Sequence, residues 1–78
     1  MAQRSSYYFV EALRSMHDVK SIKKGLDELP GVKSVSTNTD SHQVCVDYDN
    51  TGVSAAGVLN KLYDLGYESV MLRDVRRF

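Results

Sequence analysis

The chain has a single cysteine, Cys45, so it cannot form a disulfide within itself, and nothing in it calls for an oxidising compartment. It contains one proline and no tryptophan, and no stretch approaches the roughly 20 apolar residues that a membrane-spanning helix needs. The first residues also lack the apolar core of a secretion signal. We therefore expect a cytoplasmic protein with no segment inserted in a membrane.

Charge of one sign is also lacking. Ten lysines and arginines balance ten aspartates and glutamates, which argues against a nucleic-acid partner held mainly through its phosphates. The composition, 42% apolar and 26% charged, is typical of a folded domain, and 78 residues suit one small domain. We expect a short lead over residues 1–6, a domain over residues 7–72 and a basic, frayed tail over residues 73–78.

Hydrophobic patterning predicts six elements in the order βαββαβ. Residues 7–13, 32–38, 43–48 and 67–72 have the aromatic, β-branched or alternating composition of strands. Two stretches carry the apolar stripe of an amphipathic helix, at Val19, Ile22, Leu26 and Leu29 and again at Val58, Leu59, Leu62 and Leu65.

Two such helices can bury their stripes only against one face of a sheet. The expected fold is therefore an α+β, ferredoxin-like sandwich, with a four-stranded antiparallel sheet and two helices on one face. Asp18 is the expected N-cap of the first helix and Ser54 that of the second. The second and fourth strands should form the edges of the sheet, where they can pair between chains, so we expect a monomer or a weak homodimer.

Three motifs occur in the right order and spacing for one known family. They are Leu29-Pro30-Gly31-Val32 after the first helix, Val44-Cys45-Val46-Asp47-Tyr48-Asp49 in the third strand and Leu65-Gly66-Tyr67 after the second helix. Over roughly residues 7 to 72 the chain resembles the heavy-metal-associated domain of copper chaperones and metal-pumping ATPases. The resemblance implies the same βαββαβ fold, a role in metal handling without catalysis, and a metal-transporting ATPase domain as a partner.

The family's metal loop, which reads C-x-x-C, is replaced here. Counting back from Leu29-Pro30-Gly31-Val32 places Ser15 and Asp18 at the two cysteine positions, so the loop reads Ser15-Met16-His17-Asp18. A soft Cu(I) ion prefers sulfur, whereas a hydroxyl and a carboxylate are hard oxygen donors. The sequence therefore predicts a binding, regulatory or protein-interaction module with a degenerate metal loop and no resident cofactor.

Metal binding through other donors stays open as an alternative. Met16, His17 and Asp18, with Ser15, offer ligands to a borderline transition-metal ion such as Zn²⁺ or Ni²⁺. In the expected fold, the turns that carry His42 and Tyr67 lie at the same end of the sheet, so His42 is a further candidate ligand and Tyr67 a neighbour of the loop. The opposite interpretation makes Asp18 a helix cap and His17 a solvated residue.

Basic residues at the loop and along the first helix predict a docking surface. The resemblance implies that this surface meets an acidic partner protein, with charge setting the orientation and the rate of association. The alternative is an ordinary solvated helix face, because Lys23 with Asp27 and Lys24 with Glu28 are also i,i+4 pairs. The candidate docking residues are Arg14, Lys20, Lys23 and Lys24.

Two other activities of ferredoxin-like folds are disfavoured. RNA binding of the RRM type places aromatic residues on the open face of the third strand, where this chain has Gln43, Cys45 and Asp47. An acylphosphatase-type enzyme needs a glycine-rich anion cradle in the loop after the first strand, and glycine is missing there. We expect no catalysis. A redox or metal role for Cys45 is also not expected, since no second thiol is available.

Overall fold

The computed structural model describes the backbone of residues 3–77 and the side chains of residues 3–75. The predicted order of elements is confirmed. The strands are β1 (Gln3–Val10), β2 (Val32–Asn38), β3 (Gln43–Asp49) and β4 (Ser69–Arg77), and the helices are α1 (Met16–Asp27) and α2 (Ala55–Asp64).

The four strands form one antiparallel sheet in the order β2-β3-β1-β4. β1 lies in the middle and pairs with β3 and β4, so β2 and β4 are the edges, as the sequence predicted. This is the ferredoxin-like βαββαβ topology. In the part of the chain that the structure describes, no helix is long and apolar enough to cross a membrane.

One apolar core lies between the sheet and the two helices. Alternate residues of β1 and β3 point into it, and the apolar faces of α1 and α2 pack against them. The Tyr8 hydroxyl donates to the Ala55 carbonyl oxygen at 2.9 Å, and burial raises the pKa of Tyr8 to about 12. The core residues are Tyr8, Val10, Leu13, Val19, Ile22, Leu26, Val44, Val46, Tyr48, Val58 and Leu62.

The first and last strands, β1 and β4, extend further towards the chain ends than the sequence predicted, whereas β1 ends at Val10 and not at Leu13. β1 begins at Gln3 inside the expected lead, and β4 continues to Arg77 through the expected tail, whereas Phe78 lies outside the described residues. A half-buried polar cluster explains the error, because it replaces the apolar alternation that marks a strand. Asp74 in β4 forms an ion pair with Arg4 in β1 at 2.8 Å and accepts a hydrogen bond from the Tyr48 hydroxyl at 2.9 Å.

A tight turn fixes the junction between α1 and β2. Gly31 has a φ of +87°, which is favourable only for glycine, and its carbonyl oxygen accepts from the Asp49 N–H at 2.8 Å. A Cβ atom at Gly31 would lie 2.8 Å from the Asp49 carbonyl oxygen. The Leu-Pro-Gly motif therefore marks a place where the turn after α1 packs against the turn after β3.

Candidate functional site

The loop between β1 and α1, residues 11–15, is anchored by Leu13. The Leu13 side chain is fully buried in the core, and its N–H donates to the Val10 carbonyl oxygen at 3.1 Å. The residues around it, Glu11, Ala12 and Arg14, are exposed. One apolar side chain thus holds a loop whose other members face solvent, and it fixes where α1 begins.

The N-cap of α1 is Ser15, so the expectation that Asp18 is the cap was wrong by one turn. Ser15 has extended backbone angles, and its Oγ accepts from the Asp18 N–H at 3.4 Å. Asp18 is the N3 residue, and its carboxylate accepts from the Ser15 N–H at 3.2 Å. These reciprocal bonds form a capping box, in which the first and fourth residues satisfy each other's backbone N–H groups. The second predicted cap, Ser54, is confirmed, and its Oγ accepts from the Gly57 N–H at 3.0 Å.

The Asp18 carboxylate is engaged on both oxygens. Oδ2 accepts from the Arg14 N–H at 3.1 Å and from the N–H and Oγ of Ser15, both at 3.2 Å. Oδ1 accepts from the Tyr67 hydroxyl at 2.8 Å. The Tyr67 bond, followed by the Arg14 backbone bond, lowers the pKa of Asp18 below its ordinary value. Burial, followed by the bond to Asp18, raises the pKa of Tyr67.

His42 approaches the same loop from the β2–β3 turn. Its ring Nδ1 lies 2.8 Å from the Leu13 carbonyl oxygen, and its own carbonyl oxygen accepts from the Val10 N–H at 2.7 Å. A carbonyl oxygen can only accept, so Nδ1 carries the proton and Nε2 keeps its lone pair when the ring is neutral. The ring also packs edge-on against Phe9, with the two centroids 5.9 Å apart.

The predicted metal ligands are not gathered into one cluster. Met16 and His17 lie in the exposed first turn of α1, with 67% of the Met16 surface accessible. Asp18 is directed to its capping partners and Tyr67, while His42 bonds to Leu13. Among the residues that the structure describes, no three side chains of the histidine, cysteine, aspartate and glutamate types lie close enough together to hold an ion.

We call Arg14, Lys20, Lys23 and Lys24 the basic face. All four are exposed. Lys23 and Lys24 form no ion pair with Asp27 or Glu28 within residues 3–75, and Glu28 lies 3.4 Å from Lys61 of α2, so the alternative of a solvated helix face stands without the expected pairs. The ammonium groups of its three lysines are therefore left to solvent or to a partner, while the Arg14 Nε donates to the Glu11 carbonyl oxygen at 3.4 Å.

Cys45 lies on the sheet face opposite the helices, as its place between Val44 and Val46 predicted. It is half-buried, next to Tyr7 of β1 and Ser36 of β2 in the strand register. Arg73 stacks over the Tyr7 ring, with its guanidinium carbon 4.6 Å from the ring centroid. Cys45 is remote in register from the loop that carries Ser15 and Asp18.

A groove near the β1–α1 loop was not predicted. It occupies about 280 Å³ and joins a wider depression of about 660 Å³, since Glu11 and Glu68 line both. We call it the acid-rimmed groove. The available signal was that Glu11 follows β1 and Glu68 precedes β4, which places both residues at one end of the sheet. The groove residues are Phe9, Glu11, Tyr63, Glu68, Ser69 and Val70.

Three features together define a heavy-metal-associated domain. They are the antiparallel sandwich, the helix that begins immediately after the β1–α1 loop, and the three sequence motifs. The sequence pattern of that family matches residues 8–68, and the chain belongs to it. This is a family of binding domains and not of enzymes, in agreement with the prediction of no catalysis.

Among characterised proteins, the chain is similar to the copper chaperone CopZ of Bacillus subtilis strain 168. The two are 32% identical over 59 residues, which cover 76% of this chain and 86% of that protein. A solved structure described as the CopZ metallochaperone superposes with a TM-score of 0.81 at 27% identity, covering 85% of this chain and 98% of the other.

A second solved structure shares the fold. It is the Cu(I)-loaded N-terminal domain of a potential copper-translocating P-type ATPase from Bacillus subtilis. It superposes with a TM-score of 0.84 at 20% identity, covering 95% of this chain and 91% of the other. At that identity the likeness establishes the architecture alone.

Proposed function

We propose that this chain is a protein-docking member of the heavy-metal-associated family, in which the former metal loop serves as a rigid structural element. The observation that carries the proposal is the engagement of Asp18. Its carboxylate stands where the loop register places a family cysteine, and it accepts four hydrogen bonds from Arg14, Ser15 and Tyr67. A group used in this way orders the loop without an ion.

Ligand chemistry supports the same conclusion. Cu(I) is held best by soft thiolate sulfur, and the single cysteine of the chain lies in β3. The side chains of Ser15 and Asp18 present only oxygen atoms. Handing a copper ion from one protein to another by exchange of thiolates needs a pair of thiols, which this chain does not have.

The basic face supplies the docking surface in this proposal. The whole chain has no net charge, so the exposed cations of α1 form a local positive region on an otherwise balanced molecule. Opposite charge on a partner steers the encounter and sets its orientation. We propose that this face binds an acidic surface of a protein involved in metal handling, such as a domain of a metal-transporting ATPase. A cytoplasmic location remains a prediction.

Amide NMR of the ¹⁵N-labelled chain, titrated with the Bacillus subtilis ATPase domain, tests the proposal. We expect shifts along residues 14–24 that weaken with added salt. Lys23→Glu should weaken the complex about fivefold, while Lys33→Glu, an equal charge reversal on β2, should not. Equal effects of the two variants, or no shifts at millimolar partner, would contradict the docking assignment.

Metal binding through non-thiolate donors is the second candidate, and His42 favours it. A histidine that binds a metal through one ring nitrogen commonly donates from the other to a carbonyl oxygen, which is the arrangement of Nδ1 with Leu13. In this alternative, His17, Asp18 and Met16 would have to move towards His42, and the capping box would open. Asp18→Asn separates the two candidates. Asparagine at this N3 position keeps one oxygen that can accept from the Ser15 N–H, so the apo protein should lose only a little stability while any metal affinity falls.

A further inference from the structure

The exposed apolar residues of this domain are concentrated at one edge. Among the side chains of residues 3–75, seven large apolar ones are more than a third accessible, and four of them, Val70, Met71, Leu72 and Val75, belong to β4. Phe9 stands directly opposite Val70 in the β1–β4 register. Phe9 and Val70 therefore share one face of the sheet beside an unpaired strand edge, and exposed apolar residues so placed mark a site where another molecule can bind.

The acid-rimmed groove lies at the start of this edge and has a defined shape. The Tyr63 hydroxyl donates to the Ser69 carbonyl oxygen at 3.1 Å, which holds the tyrosine ring against the beginning of β4. On the other side, the His42 ring supports Phe9. The walls are therefore held by contacts within the domain.

Two carboxylates rim the groove with no partner of their own. Neither Glu11 nor Glu68 forms a side-chain hydrogen bond or an ion pair with any residue between 3 and 75. Arg14 lines the adjoining depression, and its Nε donates to the Glu11 backbone carbonyl at 3.4 Å, not to the carboxylate. An apolar floor between two unpaired carboxylates is complementary to a cation carried beside an apolar side chain.

The charge along β4 limits where such a cation can lie. The strand is preceded by Glu68 and starts with uncharged residues, whereas Arg73 begins its basic second half. Between the halves, Tyr8 pairs with Met71 and Tyr7 with Arg73, so the register skips Leu72 and the edge is irregular there. A cationic segment is therefore favoured beside residues 68–71 and disfavoured beyond them.

We propose that the acid-rimmed groove docks an extended segment of a partner protein that carries lysine or arginine next to an apolar residue. The segment lies along the unpaired edge of β4 at residues 68–71, where backbone hydrogen bonds add to the side-chain contacts. Its apolar side chain covers Phe9, Tyr63 and Val70, and its cation meets Glu11 and Glu68. This surface adjoins the basic face at Arg14 but not at its lysines, and its carboxylates are opposite to them in charge, so it selects a different partner.

The test is a titration of the ¹⁵N-labelled chain with the peptide acetyl-Lys-Leu-Lys-Leu-Lys-amide. We expect saturable amide shifts at residues 9–11 and 68–71. The matched peptides acetyl-Glu-Leu-Glu-Leu-Glu-amide and acetyl-Lys-Ser-Lys-Ser-Lys-amide should produce little change at those residues. The first control removes the complementary charge, and the second removes the apolar side chains.

Paired variants identify the contacts. Glu11→Gln with Glu68→Gln should weaken binding of the Lys-Leu peptide about fivefold, while Asp27→Asn with Asp40→Asn, which removes the same charge elsewhere, should not. Equal effects of the two pairs, equal binding of all three peptides, or no shift at millimolar peptide would overturn the proposal. Groove amides that move with the protein's own concentration would assign the edge to a second copy and would also overturn it. Any binding of the acidic control peptide to the basic face would move the amides of residues 14–24 and not those of residues 9–11 and 68–71, so this result is independent of the ATPase-domain titration.

Discussion

The β1–α1 loop and the β4 edge lie at the same end of the sheet, yet they differ in whether their carboxylates are bonded to the rest of the protein. In the loop, Asp18 satisfies two backbone N–H groups and two hydroxyls, and Leu13 anchors the chain from below. At the groove beside β4, Glu68 and the first loop residue, Glu11, are unpaired within the described residues, and Phe9 and Val70 remain accessible by 37% and 61%. A carboxylate already bonded to the protein has little affinity left for a ligand, whereas an exposed one with no protein partner can exchange water for a partner's cation.

This difference indicates which region is structural and which is available to a partner. The sequence resemblance predicts that this loop corresponds to the family's metal loop, so position alone would suggest that the function lies there. The contacts favour the neighbouring surfaces, the basic face and the acid-rimmed groove. Substitutions in the loop should therefore change stability, while substitutions in the groove should change binding.

The largest expected effect is at the anchor of the loop. Leu13→Ala removes a fully buried side chain and should lower the free energy of unfolding by about 2–5 kcal/mol. Phe9→Ala, in the groove and partly exposed, should cost less than half as much. Urea unfolding of the two variants compares them directly. A greater loss for Phe9→Ala would show that the groove wall, and not Leu13, belongs to the structural part of this end.

A smaller effect is expected at the helix cap. Ser15→Ala removes the hydroxyl of the capping box and should cost about 1 kcal/mol, or roughly 4–8 °C in Tm for a domain of this size. Ser54→Ala removes the corresponding hydroxyl at α2 and serves as the matched control with a similar expected loss. Thermal unfolding followed by circular dichroism measures both. A Ser15→Ala variant as stable as the wild type would mean that the capping box does not order the loop.

The bond between Tyr67 and Asp18 should affect local order more than global stability. Tyr67→Phe keeps the ring and removes the hydroxyl, so the loop loses its connection to the turn after α2. We expect faster amide hydrogen exchange at residues 14–18 with little change in the core strands. Tyr63→Phe removes a hydroxyl bonded to Ser69 at the groove and provides the control. Faster exchange at the loop in the control would argue against a specific role for Tyr67.

The smallest expected effect is on how the stability of the fold decreases at low pH. Because the folded pKa of Asp18 is lowered, its carboxylate stabilises the fold above its ordinary pKa of 3.8. That contribution disappears as the pH falls from about 4 through the lower folded value. Asp49 and Asp74 have lowered pKa values too, so every variant still loses stability in acid.

Asp18→Asn should therefore flatten the decrease of Tm between pH 5 and pH 2.5 slightly. Melting curves at half-unit steps provide the measurement. A steeper decrease in the variant would mean that the carboxylate is not stabilised in the folded state.

The sequence patterns that predicted the fold correctly are local ones, in which a residue type at a given spacing has one structural role. Apolar spacing predicted α1 and α2, Gly31 predicted the turn, and Ser54 predicted a cap, because periodicity and a positive φ depend on local sequence. The limits of β1 and β4 were missed because Arg4 and Asp74 satisfy each other across the sheet, a pairing 70 residues apart in sequence.

The candidate site divides in the same way. The approach of Tyr67 and His42 to the loop was expected from the topology. The position of Asp18 was predicted wrongly, because Asp18 was expected as the N-cap of α1 and is its N3 residue. Either Ser15 or Asp18 is an acceptable cap by residue type, and only Leu13, buried two residues before Ser15, fixes where the helix begins. The acid-rimmed groove depends on which carboxylates lack partners, which sequence patterns do not contain.

The most direct measurement is an amide NMR spectrum of the reduced apo protein before and after one equivalent each of Cu(I), Zn²⁺ and Ni²⁺. Our account predicts that the amides of residues 13–18, His42 and Tyr67 keep their positions, because the loop is already ordered by its own hydrogen bonds. Saturable shifts confined to those residues would contradict it and would show that this loop still binds metal.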